Sequence, residues 1–560
     1  MTSKQKLLFF GIILLTIFFR FYLIGQMPGG LFPDEAANGL DINSMQQGDL
    51  QPFYERGNGR EALFFYMLWG NVEVFGKGAW QHHVVSALIG TLAVLATFFL
   101  TRRLVLLSDE TKNKNRANWI ALTTMFIMAV STWHTVLSRT AFRANLIPLF
   151  TTLTFYFLIA SIQVETRAKR YILAFLTGTA FALGFYSYIA YRIMVPLLAI
   201  LVLWPLAVDL LKHPRFVAIK KFILPTILAG IAFIIFILPL ANYFYTHPGS
   251  FVGRSGQVSV FNPELNQGDL YGTIGQVTAL SMQAYFTEGD LNWRHNISGE
   301  PFLSIIISPF FAIGLIIVIL KAARYTFLPH KYPRDWTNFL LAGWFFSMLL
   351  PVATTAEGIP HGLRAIGTIP VVFIISALGI FAIKEWAQKI GQPYMAQIAE
   401  WKQTLINRAV LVMYIAFVAA LTSQAYILYF VQAYNSPENF YAFRSDLSVV
   451  STYLNEQAQK GLATNENTYL ILDKFSVQTP DYVTTVDGAN PSNPLNTPYT
   501  QVDPEDSWKL DGLKEGDQII FTQSSIFDIK KFKQYHPEAK LFREDRNKFN
   551  QTVMAVYIIK

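Results

Sequence analysis

Two adjacent carboxylates, Asp34 and Glu35, follow directly on the first apolar run of the chain, in the sequence LFPDEAANG. That run, residues 7–24, contains a single charge, Arg20, and is long enough to span a bilayer. Two lysines before it place its start in the cytoplasm, so the carboxylates emerge on the outer face. Because carboxylates beside a lipid-embedded helix are costly to desolvate, we predict that this pair is catalytic, with Asp34 as a general base.

Helix capping is the alternative interpretation of the same pair. Asp34 comes directly after Pro33, and proline favours the first position of a helix. Asp34 would then lie in the first turn of a short interfacial helix, where the helix dipole favours negative charge. A chemical role and a capping role therefore both remain open for these two residues.

Most of the other ionisable groups that we predict on the outer face are cationic. Arginine side chains are planar and always charged, which suits them to bind a lipid phosphate or pyrophosphate. For any single arginine the alternative is an interfacial side chain that reaches toward lipid headgroups. The predicted substrate-binding residues are Arg139, Arg143, Arg192, Arg254, Arg294, His295, His361 and Arg364.

The composition indicates which elements must hold these residues. Hydrophobic residues make up 52% of the 560 residues and charged residues only 15%, well below the roughly 25% of soluble domains. The net charge of +8 comes from lysines and arginines in short loops between apolar runs, which is a positive-inside pattern and needs no nucleic-acid partner. There is no cysteine, which excludes disulfides, thiolate metal sites and cysteine nucleophiles.

Eleven apolar runs are candidates to cross the membrane. They cover residues 7–24, 84–106, 118–136, 146–162, 171–188, 193–211, 222–241, 302–321, 337–353, 365–383 and 409–430. The loops between them alternate between basic-rich and basic-poor. This alternation predicts a multi-pass protein of the cytoplasmic (inner) membrane, with its N-terminus in the cytoplasm and its C-terminus outside.

The chain divides into a membrane domain, residues 1–430, and a polar C-terminal domain, residues 431–560. Two long outer loops, about 25–82 and 242–300, carry the Asp34–Glu35 pair and three of the predicted substrate-binding residues (Arg254, Arg294 and His295), and loops of this length are usually functional. Apolar segments at 469–472, 518–521, 540–542 and 553–559 predict strands, with helices at 440–458 and 525–535 and a surface loop at 485–500. We therefore predict a small extracytoplasmic α/β domain.

An external carboxylate and a cationic cradle at the lipid boundary fit the transfer of a sugar from a polyprenyl phosphate. The carboxylate would remove a proton from the acceptor hydroxyl, and the cations would stabilise the departing lipid phosphate. A single displacement would invert the anomeric centre. The donor would be lipid-linked, because activated nucleotides are not available outside the cytoplasm. The chain also has no nucleotide-binding glycine motif.

Two other functional classes are open to the same residues. A transporter or flippase of lipid-linked sugars should place its polar groups within the spans, at mid-membrane. Here the polar groups cluster in the outer loops, which favours the enzyme. A non-catalytic assembly protein would use its external domain to recruit partners, and it would tolerate the loss of Asp34.

Several of these motifs resemble the bacterial glycosyltransferase family 39, the membrane group of protein O-mannosyltransferases and of the aminoarabinose transferase that acts on lipid A. The resemblance covers residues 1–430 and lies in PDEA at 33–36, Ser138-Arg139, the string from Gly289 to Asn296, and PHGLR at 360–364. It implies the GT-C architecture.

For the site, the resemblance implies that Asp34 is the catalytic acid group, that Glu35 is its neighbour, and that Asp290 is a second catalytic acid. It also implies a possible divalent cation cofactor, which Asp34, Asp290 and His295 would hold. The acceptor would be a lipid, a polysaccharide or a protein. The sequence lacks the large external insertion of the eukaryotic mannosyltransferases, which argues against a protein acceptor.

Overall fold

The computed structural model describes residues 1–212, 217–252, 258–395, 397–484 and 497–560, and the chain forms two compact units. The helical unit comprises Met1–Tyr22, Asn58–Phe64 and Ser86–Val431. The sheet unit comprises Leu23–Gly57, Phe65–Val85 and Gln432–Lys560. Most of the predicted first outer loop therefore belongs to the same unit as the C-terminal residues.

Helices account for most of the described chain. In chain order they are α1 (Ser3–Phe21), α2 (Pro33–Gln46), α3 (Leu63–Phe75), α4 (Ala79–Ser108), α5 (Lys114–Ala129), α6 (Thr132–Arg139), α7 (Leu146–Gln163), α8 (Arg167–Gly184), α9 (Met194–Lys212), α10 (Val217–Thr246), α11 (Pro248–Val252), α12 (Pro263–Asn266), α13 (Leu270–Gln283), α14 (Ser308–Phe327), α15 (Trp336–Ala353), α16 (Ile369–Met395), α17 (Glu400–Tyr426), α18 (Pro437–Ala442), α19 (Ser445–Gln459), α20 (Gln478–Thr484) and α21 (Ile529–Tyr535). The strands are β1 (Phe53–Tyr54), β2 (Arg60–Glu61), β3 (Thr468–Ile471), β4 (Thr500–Val502), β5 (Gln518–Thr522), β6 (Ala539–Arg546) and β7 (Thr552–Ile559).

Within the described residues, eight helices are long and apolar enough to cross a membrane, or nine if the bent pair α5–α6 is one span. The eight are Ala79–Ser108, Arg143–Gln163, Ile189–Val208, Ile223–Thr246, Ser308–Phe327, Pro333–Ala353, Ile366–Met395 and Glu400–Ala433. The other two predicted spans are the helices α1 and α8, each of which carries three basic residues. The predicted polytopic helical architecture is confirmed.

Arg20, the one charge of the first apolar run, forms hydrogen bonds at the break between helices α5 and α6. Helices α5 and α6 meet at an angle of 61°. The buried Arg20 guanidinium donates to the carbonyl oxygens of Ala129 (2.5 Å) and Met128 (3.2 Å), and it lies 2.8 Å from Nδ1 of His134. Carbonyls at the end of a helix lack partners within the helix, so the arginine satisfies groups that the break exposes.

The sheet unit contains a five-stranded sheet in the order β4-β3-β5-β7-β6. Strands β4, β3 and β5 are parallel, whereas β7 is antiparallel to both β5 and β6. All five residues of the central strand β5 are buried, because apolar layers cover both faces of the sheet.

The predicted α/β structure of the C-terminal residues is confirmed, and the four predicted strands correspond to β3, β5, β6 and β7. Strand β4, Thr500–Val502, was missed because it has only three residues and directly follows a segment rich in turn-forming residues. Residues 485–496 of the predicted surface loop lie outside the described part of the chain.

Candidate active-site residues

Helix α2 begins at Pro33 and places both predicted carboxylates in its first turn. They have different surroundings. The Glu35 side chain is fully buried, its Oε2 accepts a hydrogen bond from the backbone N–H of Phe32 (2.9 Å), and its Oε1 lies 3.4 Å from Nε2 of His83. Asp34 is only half-buried. Glu35 therefore makes a capping contact, the kind of role that the sequence had left open for Asp34.

In the helical unit, Asp290 is the centre of a second polar cluster. Its Oδ1 accepts from the N–H of Asn292 (2.8 Å), and its Oδ2 accepts from the N–H of Gly362 (2.7 Å). The same Oδ2 lies 2.9 Å from Nδ1 of His295 and 4.0 Å from Nδ1 of His361. The two imidazoles stack with their centroids 4.5 Å apart.

Aromatic packing holds the two loops that supply this cluster. Asp290 and His295 lie between α13 and α14, and His361 lies between α15 and α16. The buried Trp133 stacks on Phe302 of the first loop, with ring centroids 4.3 Å apart, and donates from Nε1 to the carbonyl of Gly362 in the second loop (3.3 Å). One indole thus contacts both loops.

Asp290, His295 and His361 form a group that could hold a divalent metal, with ligand atoms all within 4.8 Å of one another. Two imidazoles and a carboxylate suit Zn²⁺, for which three protein ligands and one open position are typical of catalytic sites. Burial lowers the pKa of His295 below its usual value, although Asp290 opposes the shift, and neutral imidazole is the form that binds metal. The residues present therefore fit the group.

The composition of this group differs from the expected metal set. The resemblance grouped Asp34 with Asp290 and His295, whereas the described structure groups Asp290 and His295 with His361. His361 was predicted only as a substrate-binding residue. Its place beside Asp290 depends on the packing of two loops that are distant in sequence, so spacing gives no signal for it.

The predicted phosphate-binding arginines also contact other groups in the helical unit. Arg143 forms a salt bridge of 3.0 Å from Nε to Oε2 of Glu61, donates to the carbonyl of Gly59 (3.2 Å), and lies over the ring of Tyr188. The side chain of Glu61 is only 3% exposed. Sequence reasoning missed Glu61; its position in the first outer loop, among other ionisable residues, was the available signal.

Arg139 and Arg192 lie among aromatic rings. The buried Arg139 donates to the carbonyl of Phe19 (3.2 Å), and its guanidinium lies 5.3 Å from the ring centroid of Tyr429. Arg192 donates to the carbonyl of Phe251 (2.7 Å), and its guanidinium lies 4.2 Å from the centroid of that ring. Cation–π contacts of this kind favour arginine over lysine.

Arg294 and Arg364 lie near the Asp290 cluster: Arg294 directly precedes His295, and the backbone N–H of Arg364 donates to Nδ1 of His361 (3.4 Å). Nε of Arg294 donates to the side-chain oxygen of Asn292 (3.2 Å), and Arg364 donates to the carbonyl of Glu357 (2.6 Å). The tertiary structure thus brings together five of the predicted residues: Asp290, Arg294, His295, His361 and Arg364. Arg254 lies outside the described residues.

The fold is that of a polytopic membrane protein of the GT-C type. Over 99% of this chain and 98% of the other, it matches the crystal structure of ArnT from Cupriavidus metallidurans bound to undecaprenyl phosphate, with a TM-score of 0.57 and 12% sequence identity. The apo state of the same protein matches with a TM-score of 0.55 and 13% identity, over 99% and 98% of the two chains. The apo form of the Archaeoglobus fulgidus oligosaccharyltransferase matches over 99% of this chain and 74% of that one, with a TM-score of 0.48 and 12% identity.

No protein-family model and no curated protein matches the chain. The likeness to ArnT extends over nearly the whole length of both chains, including the C-terminal domain. The architecture that the sequence motifs implied is therefore confirmed at the level of the fold.

Proposed function

We propose that this chain is an inverting glycosyltransferase that moves a sugar from a polyprenyl-phosphate donor to an acceptor hydroxyl. The observation that carries the proposal is the match of nearly the full chain to the fold of ArnT in its complex with undecaprenyl phosphate. The carboxylates in the first turn of α2 and the arginines of the helical unit supply the residue types that this chemistry needs.

Asp34 acts as the general base in this proposal. Its carboxylate takes the proton of the acceptor hydroxyl while the acceptor oxygen bonds to the anomeric carbon. The bond from that carbon to the phosphate oxygen breaks in the same step, and polyprenyl phosphate leaves with the electron pair. Attack opposite the leaving group inverts the anomeric configuration.

The cationic residues stabilise the charge that develops on the leaving phosphate. Arg139, Arg192, Arg294 and Arg364 are the candidates, together with Arg254. A divalent cation bound by Asp290, His295 and His361 would supply further positive charge. The reaction takes place at the outer face of the cytoplasmic membrane, with the N-terminus inside and the sheet unit outside, as the loop charges predict.

The test compares wild type with Asp34→Asn, each purified in nanodiscs. Both receive a panel of radiolabelled polyprenyl-phosphate sugars with cell-envelope extract as acceptor, and the release of polyprenyl phosphate is followed. The matched control is Asp511→Asn, which makes the same change at an exposed residue of the sheet unit. We expect release by wild type and by the control, and a loss of about a hundred- to ten-thousand-fold in Asp34→Asn.

Two results would contradict the proposal. Equal rates for wild type and Asp34→Asn would remove Asp34 as the base. No release from any donor, together with passage of lipid-linked sugar across the membrane of vesicles reconstituted with wild type, would instead support the flippase. The anomeric configuration of the product, read by NMR, checks the single displacement independently.

A further inference from the structure

The carboxyl ends of the parallel strands β3 and β5 lie at the same edge of the sheet. Open α/β sheets usually bind ligands at this edge. Here that edge contacts a segment of the chain itself. The segment after β3, residues 472–484, packs against the segment that leads into α2 and against α2, residues 29–40. All of these residues belong to the sheet unit.

The segment that leads into α2 is held by contacts to other parts of the sheet unit. Oγ1 of Thr479 donates to the carbonyl of Leu31 (2.9 Å). A Cβ atom on Gly30 would lie 2.4 Å from the carbonyl oxygen of Phe443, so only glycine fits there. The rings of Phe32 and Phe475 lie 5.8 Å apart. The chain is thus held immediately before Pro33 and the carboxylates.

Within α2, Tyr482 makes the closest approach. Its ring lies so near Gly39 that a Cβ atom there would come within 2.4 Å of ring carbons. The buried Tyr482 also shares an apolar cluster with Leu31, Ala36 and Leu40. The face of α2 that carries Ala36 and Gly39 therefore packs against the Tyr482 ring.

The hydroxyl of Tyr482 connects to the same helix by a second route. It lies 3.0 Å from Nε2 of His82, whose neighbour His83 lies 3.4 Å from the buried carboxylate of Glu35. Glu35 in turn caps the first turn that contains Asp34. Tyr482 thus supports α2 both through Gly39 and through the histidine pair.

A buried charged group, Arg444, links the loops at this edge of the sheet. Arg444 donates to Oγ of Ser476 (2.6 Å) in the loop after β3 and to Oγ of Ser524 (3.2 Å) in the loop after β5. Its guanidinium also pairs with both carboxylate oxygens of Asp446 at 3.0 Å. The loop after β3, which carries contacts to α2 and to the segment before it, is therefore tied to the loop after β5.

We propose that residues 472–484 form a seat for α2 that fixes the Asp34 carboxylate, with Tyr482 as the positioning residue. The C-terminal domain then serves the reaction by orienting the base. The catalytic part of this inference rests on the proposed function, whereas the seat itself does not. Recruitment of the acceptor by the same domain is the competing role that the experiments test.

The first experiment measures hydrogen exchange of peptides covering residues 33–46 and needs no activity. Gly39→Ala forces a methyl group onto the Tyr482 ring and should speed exchange in α2 at least tenfold. Gly70→Ala is the matched control, because Gly70 lies in α3 of the same unit with nothing within 4 Å of an added Cβ. The double variant Gly39→Ala/Tyr482→Leu, which makes room for the methyl group, should recover most of the protection. Unchanged exchange in Gly39→Ala would overturn the proposal.

The second experiment separates orientation of the base from acceptor binding. Tyr482→Phe keeps the ring under Gly39 and removes only the hydroxyl near His82; Tyr535→Phe, at an exposed residue of the same unit, is its control. We expect kcat to fall about tenfold or more in Tyr482→Phe with the acceptor KM unchanged, since small displacements of a reacting group are costly.

A rise in acceptor KM with kcat unchanged would overturn the positioning role in favour of acceptor recruitment. Unchanged kcat and KM would also overturn it. If wild type transfers no sugar to any acceptor, the proposed function fails, and the exchange experiment still decides whether the seat holds α2.

Discussion

Glu35→Gln is the substitution that separates the roles of the two adjacent carboxylates. The buried Glu35 accepts from the Phe32 N–H at 2.9 Å and faces His83 at 3.4 Å. Glutamine keeps the size and one acceptor oxygen but loses the negative charge. A hydrogen bond to a charged group contributes about 1.5–3 kcal/mol and a neutral one about 1 kcal/mol. The expected loss in the free energy of unfolding is therefore about 0.5–2 kcal/mol.

Asp34→Asn should show the opposite pattern. Asp34 is half-buried in the first helical turn, where a negative charge contributes about 0.3–1 kcal/mol through the helix dipole. Its loss should leave the melting temperature nearly unchanged and lower the transfer rate about a hundred- to ten-thousand-fold. Glu35→Gln should instead lower the melting temperature by several degrees while keeping at least a tenth of the transfer rate.

The assay pairs thermal unfolding in detergent with transfer rates corrected for the folded fraction. A purely structural role for Glu35 is refuted if Glu35→Gln loses transfer as completely as Asp34→Asn at an unchanged melting temperature. That result would mean that the buried carboxylate takes part in the chemistry.

Three further predictions concern other charged groups. Arg143→Met leaves the buried carboxylate of Glu61 without its salt bridge and should cost about 3–5 kcal/mol of stability, measured by thermal unfolding; restored stability in Arg143→Met/Glu61→Gln would confirm the cause. Burial raises the pKa of Asp481 to about 6, so the folded state holds this proton more tightly than the unfolded state. The stability that this bound proton contributes, up to about 3 kcal/mol, is present below about pH 4 and is lost as the pH rises through 6. In Asp481→Asn the melting temperature should therefore depend less on pH between 4 and 6 than in wild type. Equal pH dependence in variant and wild type would contradict this. His361→Ala should reduce the zinc bound per chain, measured by mass spectrometry after dialysis against metal, whereas equal zinc in variant and wild type would exclude His361 as a ligand.

The membrane helices and the longer strands could be predicted because each of them reflects a local pattern in the sequence. Runs of about twenty apolar residues predict membrane helices wherever they lie, and the four longer strands of the C-terminal domain are short apolar segments between turn residues. The three-residue strand β4 carries no such pattern of its own, since its place depends on pairing with β3.

The candidate site was only partly predictable, for the same reason. The sequence by itself determined that Asp34 and Glu35 are adjacent and follow Pro33, which favours the start of a helix, and that Asp290 and His295 lie in one short segment. Only the tertiary structure decided that Glu35 is buried against His83, that His361 joins Asp290, and that Arg143 pairs with Glu61. Burial, and the charge that compensates it, depend on which distant segments pack together, and no local spacing of residues records that choice.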